Sequence, residues 1–240
     1  MSYFTLLHTI LLSVIVVIHA EAKKYFGPIK NNHPILQVTA VEPKIDGAKR
    51  AVLHKENNQV DTLAIAYPIP NFEHDDQIVL SAISHILSAG KSSRFEKKLI
   101  QEKKLVNQIY GYNMELKDPG VFLIMALCAQ DATPEAVEKE ILSELEKLKN
   151  KDVTQAELDK VKINTKAEFI YSLESSSSVA EMYGDYYVKG NIEPLLKYEE
   201  NLDKITLEDI SRVAKKYFDH SRSTVVILKK QETSTGQIDE

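Results

Sequence analysis

Apolar and polar positions follow different rhythms in different parts of this chain. Phe4–Ala20, FTLLHTILLSVIVVIHA, contains no Asp, Glu, Lys or Arg. Further on, Val60, Leu63, Ile65 and Tyr67 recur within the β-favouring run QVDTLAIAYPIP. With AKRAVLHKEN before it, this run predicts two antiparallel strands, with Asn57-Asn58 able to make the turn between them. In HDDQIVLSAISHILSAG, the residues Ile78, Leu80, Ile83, Ile86 and Leu87 fall near helical spacing. Gly90 is the stop for that helix, and Asp75 and Asp76 occupy its first turn, where the helix dipole favours negative charge. SSRFEKKLIQEKK predicts a second, shorter helix with Ser92 or Ser93 as its N-cap.

VNQIYGYNMEL and GVFLIMALCAQ read as strands around a turn at Lys117-Asp118-Pro119-Gly120. After Thr133-Pro134 the pattern turns helical. Thr154 with Glu157 forms a capping box, Thr206 caps LEDISRVAKKYF, and STVVILKK closes the series as a strand. The expected fold class is α+β, with one antiparallel sheet covered mainly on one face by helices.

Composition narrows the functional classes. The chain has 240 residues, 43% hydrophobic and 27% charged, with a formal net charge of -5. It has material for a real core, and it lacks the concentrated basic face that a nucleic-acid partner requires. Its single cysteine, Cys128, rules out an internal disulfide and a thiolate cluster and reads as a buried, inert thiol.

The expected organisation is an apolar leader at 1–22, a linker at 23–47, a main domain at 48–231 and a polar tail at 232–240. Ala20-Glu21-Ala22 makes the leader a candidate signal peptide, which predicts an exported, periplasmic protein. Two alternatives stand beside it: a membrane anchor through residues 4–20, and a strand left over from a preceding domain. The pentapeptide AKKYF occurs at Ala22–Phe26 and again at Ala214–Phe218, too short a repeat to establish duplication.

Catalytic signatures are missing. The seven histidines, at 8, 19, 33, 54, 74, 85 and 220, form neither HExxH nor HxxEH. His74 and His85 are eleven apart and read as a cap-region residue and a core-boundary residue. The serines at 175–178 lack a G-x-S-x-G frame, and Gly90-Lys91-Ser92-Ser93 lacks the upstream glycine of a phosphate loop.

FEHDDQIVLSAISHILSAGKSSRFEKKLIQEKKLV, followed by DPGVFLIMALCA and ITLEDISRVAKKYFDHSRSTVVILK, resembles the second-half domain of the pitrilysin/insulinase-like zinc metallopeptidases, processing peptidases included. The resemblance covers about Ala22 to Lys230. It implies a half-clamshell whose partner half carries HxxEH and zinc, so the cofactor expected in this chain is none. Gly90, Ser92, Ser93 and Arg94 match the family's structural turn. The frame L-R-x-x-x-G-L-x-Y, whose Arg and Tyr help hold the substrate backbone, falls on Leu99, Ile100, Leu105 and Asn107. The two helper positions are therefore expected to have lost their chemistry, as Ile100 and Asn107. Implied partners are an HxxEH-bearing subunit or half and a peptide substrate. The alternative is an exported scaffold or interaction protein that kept the fold without activity.

Overall fold

In the computed structural model, residues 3–30, 43, 47–56 and 58–230 are described, with the side chains of the first helix described from Ile15 onward. Contacts divide the chain into two compact units, Met1–Pro43 and Lys44–Glu240. The first unit contains α1, Tyr3–Phe26. The leader is therefore helical and not the leftover strand. The helix also runs on through Lys23–Phe26, into the expected linker. Among the described residues, no helix is long and apolar enough to cross a membrane. Most of the linker, Asn57 and the tail from residue 231 lie outside the described residues.

The second unit runs β1 (Lys49–Lys55), β2 (Thr62–Ile69), α2 (Asp76–Ser88), a π-wound helix (Glu96–Glu102), β3 (Val106–Met114) and β4 (Gly120–Cys128). Then follow α3 (Pro134–Lys149), α4 (Gln155–Ser172), α5 (Ser176–Lys189), α6 (Glu193–Leu196), α7 (Tyr198–Lys204), α8 (Leu207–Tyr217) and β5 (Thr224–Lys230). The predicted caps are in place. Thr133 accepts from the Ala136 N–H at 3.3 Å, and Thr154 and Thr206 each close a capping box with the residue three along. Each such cap is worth about 1 kcal/mol.

The five strands lie in the order β1-β5-β2-β4-β3. All neighbours are antiparallel except β1 and β5, which pair in parallel. The predicted β1–β2 hairpin is not formed, because β5 is inserted between the two strands. The segment between Lys55 and Thr62 spans that gap, and its side chains hold β5. Asn58 Nδ2 donates to the Leu228 carbonyl at 3.4 Å, and the Lys230 N–H donates to Asp61 Oδ1 at 2.8 Å.

One face of the sheet carries the core. In β4, Phe122, Ile124, Ala126 and Cys128 point inward, alternating with Val121, Leu123, Met125 and Leu127 on the other side. α2, α3 and α8 pack against the inner face, and α4 lies against α2. Tyr67, Phe122 and Phe218 meet edge to face, with ring centroids 5.3 and 4.9 Å apart. Burial pushes the Cys128 thiol up to about 11, as expected of an inert core residue.

The second predicted helix departs from expectation. It begins at Arg94 and is π-wound, with the Lys103 N–H reaching the Lys98 carbonyl at 3.1 Å. Neither serine caps it. Ser92 Oγ receives Lys160 Nζ, and Ser93 Oγ is buried without a partner among the described residues. The helix start is met by backbone, through Lys97 N–H to Ser93 O at 3.1 Å.

Candidate functional site

Gly90 ends α2 with φ +74°, a conformation that glycine adopts without steric cost. The following turn is closed by Ser93 N–H to Gly90 O at 3.1 Å. It aims Arg94 at the start of α4. The guanidinium donates to both Glu157 oxygens, Nε at 2.9 Å and Nη2 at 3.0 Å, and also to the Asp152 carbonyl. Nη1 stands 3.9 Å from the buried Glu144. Glu157 also accepts the Thr154 N–H at 3.0 Å. Burial works to raise the Glu157 pKa, but the Arg94 and Thr154 hydrogen bonds outweigh it and hold the carboxyl below its usual range. The turn after Gly90 thus ties the end of α2 to the start of α4 through Arg94.

The π-wound helix leads into β3. Leu99 is fully buried, and Ile100 packs partly buried against the core. Lys104 has φ +51°, a left-handed conformation uncommon for a non-glycine residue. Asn107 sits at a break in the β3–β4 register between Val106 and Gln108, and its Nδ2 donates to the Cys128 carbonyl at 3.4 Å. Ile100 offers no hydrogen-bond donor, and the Asn107 amide is turned to its own sheet.

Two features escaped the sequence reading. The first is the surroundings of Asp76, which is 2% exposed and takes hydrogen bonds from Arg212, Lys216 and Tyr217 of α8. The second is the face of the sheet that no described helix of the Lys44–Glu240 unit covers. Leu53 and Leu228 share one row of it, Met125 and Tyr110 another, and Leu123 and Tyr112 a third. Leu53, Tyr110, Met125 and Tyr112 are exposed.

At the β3 edge of that face, a cleft of about 430 Å³ opens beside the N-terminal half of α2. Its walls include His74, His85, Tyr112 and Tyr198. The His74 ring accepts the Asp76 N–H at 3.0 Å, a cap-region role. His85 stands at the core boundary with Nε2 3.9 Å from Glu168. Among the described residues, no three His, Cys, Asp or Glu side chains are grouped as a metal site.

Residues 16–165 match the family described as the peptidase M16 inactive domain. The chain belongs to the peptidase M16 family. It is 43% identical over 210 residues to zinc protease PqqE of Helicobacter pylori, covering 87% of this chain and 47% of that relative. A crystal structure of a protease from Helicobacter pylori superposes with a TM-score of 0.83 at 43% identity, over 86% of this chain and 51% of the other. The M16 inactive domain from Pseudomonas fluorescens shares the fold at 18% identity, with a TM-score of 0.65 over 77% of this chain and 44% of the other. This M16 domain spans about half the length of the curated relatives it matches.

Proposed function

We propose that this M16 inactive domain is the non-catalytic half of a peptide-holding chamber and needs an HxxEH-bearing, zinc-binding half for proteolysis. The observation that carries this reading is the helix-free sheet face. Its apolar rows are built as regularly as the core face, yet no described helix of the Lys44–Glu240 unit covers them. A substrate chain laid on Leu123, Met125 and Leu228 would be desolvated there while the chemistry occurred on the partner.

The helper positions support the same division of labour. Lys104 falls on the glycine of the L-R-x-x-x-G-L-x-Y frame, and its φ of +51° lies in the region that glycine enters without steric cost, which favours the alignment of Ile100 with the arginine and Asn107 with the tyrosine. Zinc protease PqqE, of which this chain covers 47%, is about twice as long, which favours the rest of the machinery residing in a second half. The apolar leader and Ala20-Glu21-Ala22 favour export to the periplasm. Sequencing the amino terminus of protein from its native host tests export; an intact Met1 would count against cleavage.

The decisive experiment is co-purification from the native host, followed by zinc analysis and peptide cleavage with and without the co-purifying chain. Cleavage should require the zinc-bearing chain and fall when Leu123→Asp and Met125→Asp are introduced. Chelator-sensitive peptidase activity in this chain alone, or cleavage by the pair that ignores both substitutions, would sink the proposal.

A further inference from the structure

The helix α4 presents apolar residues on two opposite faces. Leu158 and Val161, with Thr165, are buried on the side that meets α2. At about 100° per residue, Ile163, Ala167, Ile170 and Tyr171 come together on the other side. There Ile163 is 68% exposed, Ile170 54% and Tyr171 66%. Lys160 and Glu174 stand exposed at the two ends of this stripe. Lys160 Nζ donates to the neutral Ser92 hydroxyl, and neither residue has an ion-pair partner among the described residues.

Set antiparallel to a second α4, with a two-fold axis beside Ala167, the stripe complements itself. Ala167 then meets Ala167, small enough for the helices to approach within the usual separation of about 8–10 Å. Ile163 of one copy falls against Ile170 of the other, and Tyr171 against Asn164. Lys160 falls beside Glu174, and symmetry makes two such pairs of opposite charge. A parallel arrangement would put Lys160 against Lys160 and Glu174 against Glu174, so the charges select the antiparallel one.

We propose that the outer face of α4 is an antiparallel docking surface for a second copy of this chain. The stripe lies on the side of α4 away from α2, and α2 packs on the inner face of the sheet. This surface is therefore separate from the open sheet face, and a dimer formed on it does not depend on the chamber reading. A single pair of helices covers less than the roughly 1,200–2,000 Å² of a standard stable interface, so the association is weak and concentration-dependent. The next helix, α5, has no buried residue, and its exposed Tyr187 and Val188 are available to extend the contact.

Sedimentation velocity of the full chain over a concentration series should show a monomer–dimer equilibrium. Ile163→Glu combined with Ile170→Glu should abolish it. Lys160→Glu should weaken it about tenfold, because two symmetric ion pairs become repulsive, and adding Glu174→Lys should restore it. Ala167→Cys tests the register on an otherwise native chain. On mild oxidation it should cross-link to its own copy, because the axis runs beside it, while Cys128 is buried and does not compete. Asp159→Cys is the control, since its two copies would stand about 24 Å apart along the helix pair and should not cross-link. Circular dichroism checks that each variant is folded. A monomer at every concentration overturns the proposal, as does a dimer that survives the double glutamate substitution, or equal cross-linking of the two cysteine variants. Binding of the co-purifying zinc-bearing chain in place of a second copy, lost with the double glutamate substitution, also overturns it and assigns the stripe to that chain.

Discussion

Asp76 and Lys216, 140 positions apart in sequence, meet with Oδ2 and Nζ 2.8 Å apart. The same carboxylate receives Arg212 Nη1 at 2.7 Å and the Tyr217 hydroxyl at 2.7 Å. One buried side chain in the first turn of α2 therefore fixes three residues of α8. Burial by itself would raise the Asp76 pKa, but the hydrogen bonds from Lys216, Tyr217 and Arg212 prevail and hold it at about 2.

Acid stability should report this network. A carboxyl with a depressed native pKa contributes stability that is present above its unfolded value of about 3.9 and disappears as pH falls through the native value. For Asp76 that window runs down to about 2. Its contribution at neutral pH is about 2–3 kcal/mol. Asp76→Asn should remove most of it and flatten the acid limb of a denaturation series across this window. An acid limb with the wild-type slope would show that the network is decorative.

Arg94 yields a second stability prediction. Its planar guanidinium bonds both Glu157 oxygens and the Asp152 carbonyl, a geometry a lysine ammonium cannot reproduce. Arg94→Lys should cost about 1.5–3 kcal/mol in urea denaturation, although charge is conserved. Glu157→Gln should cost less, because its amide oxygen can still accept the Thr154 N–H.

Lys104 makes the opposite prediction. A lysine held at φ +51° bears a steric cost that glycine avoids. Lys104→Gly should stabilise the chain by about 1 kcal/mol, read as a higher denaturation midpoint with unchanged slope. A loss of stability would show that the Lys104 side chain makes a contact worth more than the strain.

These residues also mark where the sequence was readable. Thr133, Thr154 and Thr206 announced their helices because capping chemistry is local, within three residues of the cap. The run Gly120–Cys128 announced a strand, but it is apolar on both of its alternating faces, so which face carries the core was not legible in it. The place of β5 was hidden: neighbours in sequence suggested a β1–β2 hairpin, and only tertiary packing put the last strand between the first two. The Asp76 network was hidden too, since its partners lie 136 to 141 positions away and the Asp75-Asp76 pair already had a sufficient local explanation in the helix dipole. Lysine itself carries no signal for the left-handed residue at 104; only the glycine of the frame that falls there hinted at it. The cleft could have been suspected from Phe72, Glu73 and Asp75, but its opposite wall comes from α5 to α7.

The helper positions allow a test by restoration. Ile100 packs partly buried against the core, and Asn107 occupies an irregularity at the start of β3. Ile100→Arg with Asn107→Tyr should leave the isolated chain without peptidase activity. Hydrolysis needs an activated water, and a catalytic zinc lowers the bound water's pKa from 15.7 to about 7. A substrate clamp has no equivalent effect. Beside an HxxEH-bearing partner the outcome should differ, because an arginine and a phenol aimed at the substrate backbone would stabilise charge that develops at the metal. Removing a donor of this kind typically costs about 2.7–4 kcal/mol, which sets the upper limit of the gain. The recovered fraction should be smaller, since the introduced guanidinium must leave a site shaped for the Ile100 side chain and errors of about 1 Å are severe. The measurement is kcat/KM for the pair with and without the double substitution, after thermal denaturation has shown that both forms are folded. A restored pair that cleaves no faster than the unmodified pair would place the substrate backbone elsewhere than beside residues 100 and 107.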